Sequence, residues 1–191
     1  GSRNRKKSRE VAEILAPWGV NLLSIADFPE VGEVDEDGDT FAANAAKKAI
    51  QPARQLERWV IGEDSGLSVD ALDGRPGVFS ARFSGPGATD ESNNRLLQTQ
   101  LTGVPLDKRG AAYTCTVALS DPSGTIRLEV EGDCPGVILE APRGEGGFGY
   151  DPVFLVPDLG LSFAEMDKAT KAAIGHRGRA FALLEPRLRQ L

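Results

Sequence analysis

The stretch Trp59-Val60-Ile61-Gly62-Glu63-Asp64-Ser65-Gly66-Leu67 decides how the chain is read. A short apolar run ends in two adjacent acids, a hydroxyl and a glycine, which is how a buried strand delivers polar groups to the sheet edge where ligands bind. Successive strand residues face opposite sides, so Glu63 and Asp64 point apart unless the strand ends there. Gly66 permits a turn that would bring both carboxylates round one ion. The other reading is a loop whose acids are solvated.

Upstream, residues 21–25 read as a short strand, followed by an acidic loop holding Glu33, Asp35, Glu36, Asp37 and Asp39. Asp39 or Thr40 then opens a helix whose inner face is marked by Phe41, Ala45 and Ala49. Asn44, Lys47 and Lys48 lie on other faces, from which Lys48 can reach a neighbouring site, and Pro52 should kink or end the helix. Nearer the start, Asn4 can cap a helix that begins in the basic run Arg3, Arg5, Lys6, Lys7 and Arg9. Val11, Ile14, Leu15 and Trp18 give it an apolar stripe before Pro17 and Gly19 stop it. Basic residues oppose the dipole at a helix start unless an anion binds there; a solvated basic tail is the alternative.

Downstream, residues 67–72 read as strand, 73–77 as a turn and 78–85 as a tight segment carrying Ser80 and Arg82. Thr89 caps a helix running through Leu96, Leu97 and Leu101. Tyr113, Cys115, Val117 and Leu119 alternate with polar or small neighbours, Asp121-Pro122-Ser123-Gly124 turns, and Ile126, Leu128 and Val130 alternate again, an antiparallel hairpin. Residues 135–139 begin another strand. Helices alternating with strands before this hairpin predict an α/β fold, a mixed sheet covered by helices. Gly144-Glu145-Gly146-Gly147-Phe148-Gly149-Tyr150-Asp151-Pro152 combines close backbone approach, rings that can stack on a base, and an acid that accepts hydrogen bonds. A turn before the strand at 153–156 would also explain it. The spacing matches neither a Rossmann nor a P-loop fingerprint. Ser162-Phe163-Ala164-Glu165 has capping-box form, Lys171 falls near the end of the next helical stretch, and Gly175 terminates it. His176, the single histidine, stands beside Arg177 at the start of a last helix with Phe181, Leu184 and Leu188 inward. It is either structural or a donor to a base carbonyl.

The 191 residues suit one domain, with 40% hydrophobic and 26% charged residues in the globular range. A net charge of −6 argues against binding nucleic acid polymers, which requires a dominant basic field. The basic clusters at the two ends and the acids between them suit a compact polyanion with a divalent cation. No apolar run has membrane-spanning length or signal-peptide form, so a cytoplasmic protein is expected, with Cys115 and Cys134 reduced and packed.

Four blocks together resemble the inosine-triphosphate pyrophosphatase family: Ser2-Arg3-Asn4-Arg5-Lys6-Lys7-Ser8-Arg9-Glu10, Glu63-Asp64-Ser65-Gly66-Leu67, Gly146-Gly147-Phe148-Gly149-Tyr150-Asp151-Pro152, and Lys171 with Gly175-His176-Arg177-Gly178. The likeness runs over nearly the whole chain and includes Pro76-Gly77-Val78-Phe79-Ser80-Ala81-Arg82. It implies one domain over residues 1–191, an elongated mixed sheet flanked by helices, two lobes with a central cleft, and a homodimer. It implies Mg²⁺-dependent cleavage of ITP, dITP or XTP between the α and β phosphates, giving the monophosphate and pyrophosphate and so cleansing the nucleotide pool.

By the same resemblance Asp64 corresponds to the general base and a metal-site acid, Glu63 to its acidic neighbour at the metal, and Ser65 to a substrate contact. Ser2, Arg3, Asn4, Arg5, Lys6 and Lys7 match the phosphate-binding turn, and Lys48 a further phosphate lysine. Phe148, Gly149, Tyr150 and Asp151 match the base-binding loop, and Lys171, His176 and Arg177 the residues that hold the purine. A keto group at the purine 6-position accepts from His176 or Arg177, whereas the amino group of adenine leaves such donors unpaired, which is costly.

The sequence departs from the family pattern in two places. Ala43 stands where a metal-holding glutamate precedes Asn44, so Glu63 or an acid from 35–39 has to compensate. Relatives also place a central strand before the phosphate turn, whereas this sequence begins at Gly1; either residues are missing from the sequence as given or the sheet lacks that strand. A catalytically weak or inactive nucleotide-binding homologue, and a pyrophosphatase for other modified nucleotides, are the alternative functions.

Overall fold

The computed structural model describes residues 5–191, the first of them by its backbone alone. The expected cap at Asn4, and Ser2 and Arg3, lie outside the described residues. The described residues form five α-helices, α1 (Arg5–Leu15), α2 (Phe41–Leu56), α3 (Asp90–Gln100), α4 (Lys168–Ile174) and α5 (His176–Leu188). Five strands, β1 (Val60–Val69), β2 (Gly110–Ser120), β3 (Ile126–Ile138), β4 (Phe154–Val156) and β5 (Leu161–Ser162), lie in that order in one sheet. This is the α/β class expected, a sheet flanked by helices. The β3–β4 and β4–β5 pairs are antiparallel, with Val137 opposite Leu155 and Leu155 opposite Ser162.

Two compact units share the chain: Gly1–Ser65 with Cys115–Gly132 and His176–Leu191, and Gly66–Thr114 with Asp133–Gly175. In the first, the stripe of α1 (Val11, Ile14 and Leu15) and Trp18 packs with Cys115, Val117, Val130, Phe181 and Leu184. Its helix ends as read: Ala16–Trp18 tightens to a 3-10 turn and Gly19 takes φ +69°, the left-handed region glycine tolerates. Helix α2 starts on the Thr40 hydroxyl, which accepts from the Ala43 amide, and buries Ala45 and Ala49 against Ala118. The second unit is built round Tyr113, Phe154 and Phe163, with ring centroids 4.8–5.5 Å apart. Phe154, Phe163 and Phe181 are fully buried, each contributing about 2 kcal/mol by area removed from water.

Several local readings are corrected. Residues 21–24 adopt no strand and lead into a 3-10 turn at Ile25–Asp27, because the Ser24 hydroxyl caps that turn and closes a capping box with Asp27. Pro52 does not end α2; it is buried within a helix that runs on to Leu56, where packing outweighs the lost hydrogen bond. The strand expected at 67–72 is the second half of β1, which ends at Val69 in a 3-10 turn, and the strand expected at 135–139 continues β3. The capping box at Ser162 forms its bond, Ser162 N donating to Glu165 Oε2 at 2.8 Å. It closes a turn rather than a helix, and α4 begins later, capped by Asp167.

Candidate active site

Strand β1 runs unbroken through Glu63, Asp64, Ser65 and Gly66. The turn expected at Gly66 is therefore absent, and the pleat sends the two adjacent carboxylates to different partners. Gly62 explains what lies on one side: a Cβ there would overlap the Ala45 carbonyl and sit 2.6 Å from the Ala49 amide nitrogen, so only glycine lets α2 press against the strand. That approach carries Asn44 and Lys48, expected off the packed face, into the interior, where they are 0% and 4% exposed.

Asp64 receives both. Lys48 Nζ donates to Asp64 Oδ1 at 2.7 Å and Asn44 Nδ2 donates to Oδ2 at 3.2 Å. The same ammonium lies 2.8 Å from Glu36 Oε2, and Asn44 Oδ1 accepts from the Gly38 amide at 2.8 Å, tying the acidic loop to α2. Burial works against the Lys48 charge, but Asp64 and Glu36 outweigh it and hold its pKa above the ordinary lysine value. Two carboxylates from distant segments thus share one cation.

Glu63 belongs to a second cluster. Its Oε1 accepts from Arg177 Nε at 3.1 Å and lies 3.0 Å from Arg177 Nη2, while Oε2 lies 3.9 Å from Lys7 Nζ. Arg177 also donates to Glu10 Oε2 at 2.7 Å and to Ser65 Oγ at 2.8 Å, and Lys7 donates to the same hydroxyl at 3.0 Å. Burial pushes the Glu63 carboxyl up, yet Arg177 and Lys7, with the Ser65 hydroxyl and Lys48, override it and hold it well below the usual carboxylate range. Cys115, read as a packing residue, is buried and donates through Sγ to Glu63 Oε1 at 3.4 Å; burial, then the Glu63 charge, raises its thiol pKa.

In the second unit, Asp151 is buried and its Oδ2 accepts from Lys171 Nζ at 2.6 Å and from the Phe148 amide at 2.8 Å. The Lys171 ammonium stands 5.0 Å from the centre of the half-buried Phe148 ring and 5.4 Å from that of Phe163. Gly149 takes φ +63°. Tyr150 is buried, its hydroxyl donating to Ser80 O at 2.8 Å, and burial, with Asp90 nearby, pushes the phenol pKa up.

Of the residues singled out from the sequence, the fold gathers Lys7, Lys48, Glu63, Asp64, Ser65 and Arg177 in the first unit and Phe148, Asp151 and Lys171 in the second. Lys6 is exposed on α1 and His176 is buried at the start of α5. Sequence reading missed Glu10 and gave Asn44 no role. Both carried a spacing signal: Glu10 comes three residues after Lys7, and Asn44 precedes Lys48 by four, so each pair shares a helix face.

Among the described residues no three His, Cys, Asp or Glu side chains are grouped to hold a metal. The carboxylates of Asp64 and Glu36, already converging on a cation, have the chemistry that suits Mg²⁺, which takes one or two carboxylates and completes its shell with water and phosphate oxygens.

The chain is similar to known proteins over nearly its whole length. The sequence model of the Ham1 family matches residues 1–187. The dITP/XTP pyrophosphatase of Geobacter sulfurreducens is 51% identical over 98% of this chain and 94% of its own, and that of Rhodopirellula baltica 47% identical over 100% and 92%. A HAM1 protein structure from Coxiella burnetii superposes with a TM-score of 0.90 at 35% identity, covering 100% of this chain and 97% of that one. A nucleoside-triphosphatase, dITP/XTP pyrophosphatase, from Mycobacterium abscessus gives 0.78 at 42% identity, covering 98% and 97%. With a family match over almost the whole chain and relatives near half identical to it, the chain belongs to the Ham1 family.

Proposed function

We propose that this protein hydrolyses non-standard purine nucleoside triphosphates, dITP, ITP and XTP, to the monophosphate and pyrophosphate, removing deaminated purines from the nucleotide pool. The observation that carries this reading is the buried Lys48 ammonium held between Asp64 and Glu36. Such a set of charges suits an anionic phosphate chain and a divalent cation. The names of the relatives supply the substrate class.

Phosphoanhydride hydrolysis is mainly positioning and charge neutralisation. Lys48 and Lys7 bind phosphate oxygens, and Asp64, fixed by Asn44 and Lys48, orients a water and takes its proton. Asp64 and Glu36 would hold Mg²⁺, which would supply Lewis-acid neutralisation of the phosphate charge. Glu36 thereby fills the part that Ala43 cannot. Glu63 anchors Arg177, which orients Ser65, and from the family resemblance it is also proposed as an acidic neighbour at the metal. In the second unit Phe148 offers a ring for the purine, and Lys171 and Asp151 hold that ring in place.

The match to residues 1–187 supports one functional domain over the chain. No described helix is long and apolar enough to cross a membrane; action on the cytoplasmic nucleotide pool is part of the proposal. A homodimer is the assembly proposed from the family resemblance.

The test is pyrophosphate release across a panel of dITP, XTP, dATP and dGTP with Mg²⁺. Release from dITP and XTP far faster than from the other two is expected; equal rates on all four would remove the specificity claim. Calorimetric binding of ITP without turnover would favour a nucleotide-binding homologue.

A further inference from the structure

The turn that carries Phe148 and Asp151 is held from outside by two side chains that take no part in the phosphate and metal chemistry. Asn94, half-buried on α3, donates through Nδ2 to Gly149 O at 2.7 Å and to Asp90 O at 2.7 Å. Both amide hydrogens are therefore committed. Its Oδ1 is buried and accepts no hydrogen bond among the described residues, which an apolar side chain in that place would avoid. On the other edge of the same peptide, Tyr150 N donates to the Tyr113 hydroxyl at 3.2 Å. The Gly149–Tyr150 peptide plane is thus gripped by its carbonyl from α3 and by its amide from β2.

The orientation of that plane governs the residues on both sides of it. Gly149 takes φ +63°, a conformation glycine reaches without the penalty of a side chain but does not by itself enforce. With the plane fixed, the Phe148 amide meets Asp151 Oδ2 at 2.8 Å, and Lys171 joins the same oxygen under the Phe148 ring. We propose that Asn94, with Tyr113 as counterpart, is a positioning residue for base recognition: by gripping the Gly149 carbonyl it presets the Phe148 ring and the Asp151–Lys171 pair before a purine arrives. This rests on the proposed function, in that the ligand is the base of a purine triphosphate. Pre-setting lowers the ordering cost of binding, so its loss shows in KM and leaves the chemical step alone.

The experiment compares wild type with Asn94→Leu, Asn94→Asp and Tyr113→Phe. KM and kcat are measured for pyrophosphate release from dITP, and amide hydrogen exchange is monitored over residues 146–151. Asn94→Leu should raise KM about five- to tenfold, the loss of roughly one hydrogen bond, with kcat changed less than about twofold. Exchange over 146–151 should quicken while the rest of α3 keeps its protection. Asn94→Asp should raise KM further, since a carboxylate oxygen then faces two carbonyls. Unchanged KM with unchanged exchange overturns the proposal, as does a fall in kcat at constant KM. Should Asn94→Leu fail to fold, Tyr113→Phe decides the same question, because it removes the hydroxyl and keeps the ring packing. If wild type turns over no purine triphosphate, the functional reading fails, while the exchange comparison still settles whether Asn94 holds the turn.

Discussion

Removing Arg177 should cost more stability than removing either carboxylate it serves. Its side chain is 3% exposed and faces Glu63, 5% exposed, and Glu10, 18% exposed. Arg177→Met leaves a buried carboxylate without its nearest cation, with Lys7 3.9 Å away, Lys48 more distant and the Ser65 hydroxyl and Cys115 thiol beside it, and breaking a buried ion pair from one side costs about 3–5 kcal/mol. In a chain of 191 residues each kcal/mol moves Tm by roughly 2–4 °C, so a fall on the order of 10 °C is expected. Glu63→Gln leaves Arg177 its partners Glu10 and Ser65 and should cost less. The double variant should be better than the sum of the singles by about 2 kcal/mol, the coupling of a contacting pair. Urea unfolding at pH 7 measures all three against wild type.

The pH dependence gives an independent check. In wild type the Glu63 carboxyl is depressed, so its contribution is complete above the unfolded value near ~4.3 and is lost as pH falls below it. In Arg177→Met burial prevails and the carboxyl rises, so the variant is penalised most at neutral pH and relieved by protonation. The stability gap should therefore narrow between pH 7 and pH 4. A cost under about 1 kcal/mol at pH 7, or a gap that does not change with pH, would refute the buried charge pair.

Asp64→Asn should lower pyrophosphate release at least about a hundredfold by removing the base, and should also lower Tm, because Lys48 and Asn44 donate to different carboxylate oxygens and the single carboxamide oxygen can serve only one of them; a rate within a few fold of wild type would dismiss Asp64 as the base. Ala43→Glu should leave the rate unchanged or higher, and should add about 0.5–1 kcal/mol by completing a capping box with Thr40, whose hydroxyl already accepts from residue 43; a lower Tm would count against it. Gly62→Ala should destabilise by about 3 kcal/mol or more, since its Cβ overlaps the Ala45 carbonyl, and should depress activity by moving Lys48 away from Asp64. Glu36→Gln should raise the Mg²⁺ concentration needed for half-maximal rate several-fold while leaving Tm within about 2 °C, as a half-exposed ion pair contributes little; an unchanged Mg²⁺ requirement would place the metal elsewhere.

Much of this protein is written locally. The apolar stripe of α1, the Thr40 and Thr89 caps, the β2–β3 hairpin and the stop at Gly175 arise from periodicity and capping chemistry among neighbours in sequence. The acids of β1, the glycine-rich turn and the lysines were legible as residue types suited to a nucleotide. Which acid meets which base was not. Asn44 and Lys48 turn inward because Gly62, some fifteen residues away, lacks a Cβ, and Glu63 takes Arg177 as its partner because α5 packs in the same core as Cys115. Nor could spacing tell that β1 continues past Gly66 instead of turning. Local pattern reports what a segment can bury. The pairing of charges depends on which surfaces come together, and tertiary packing decides that by weighing each buried charge against the partner it can reach.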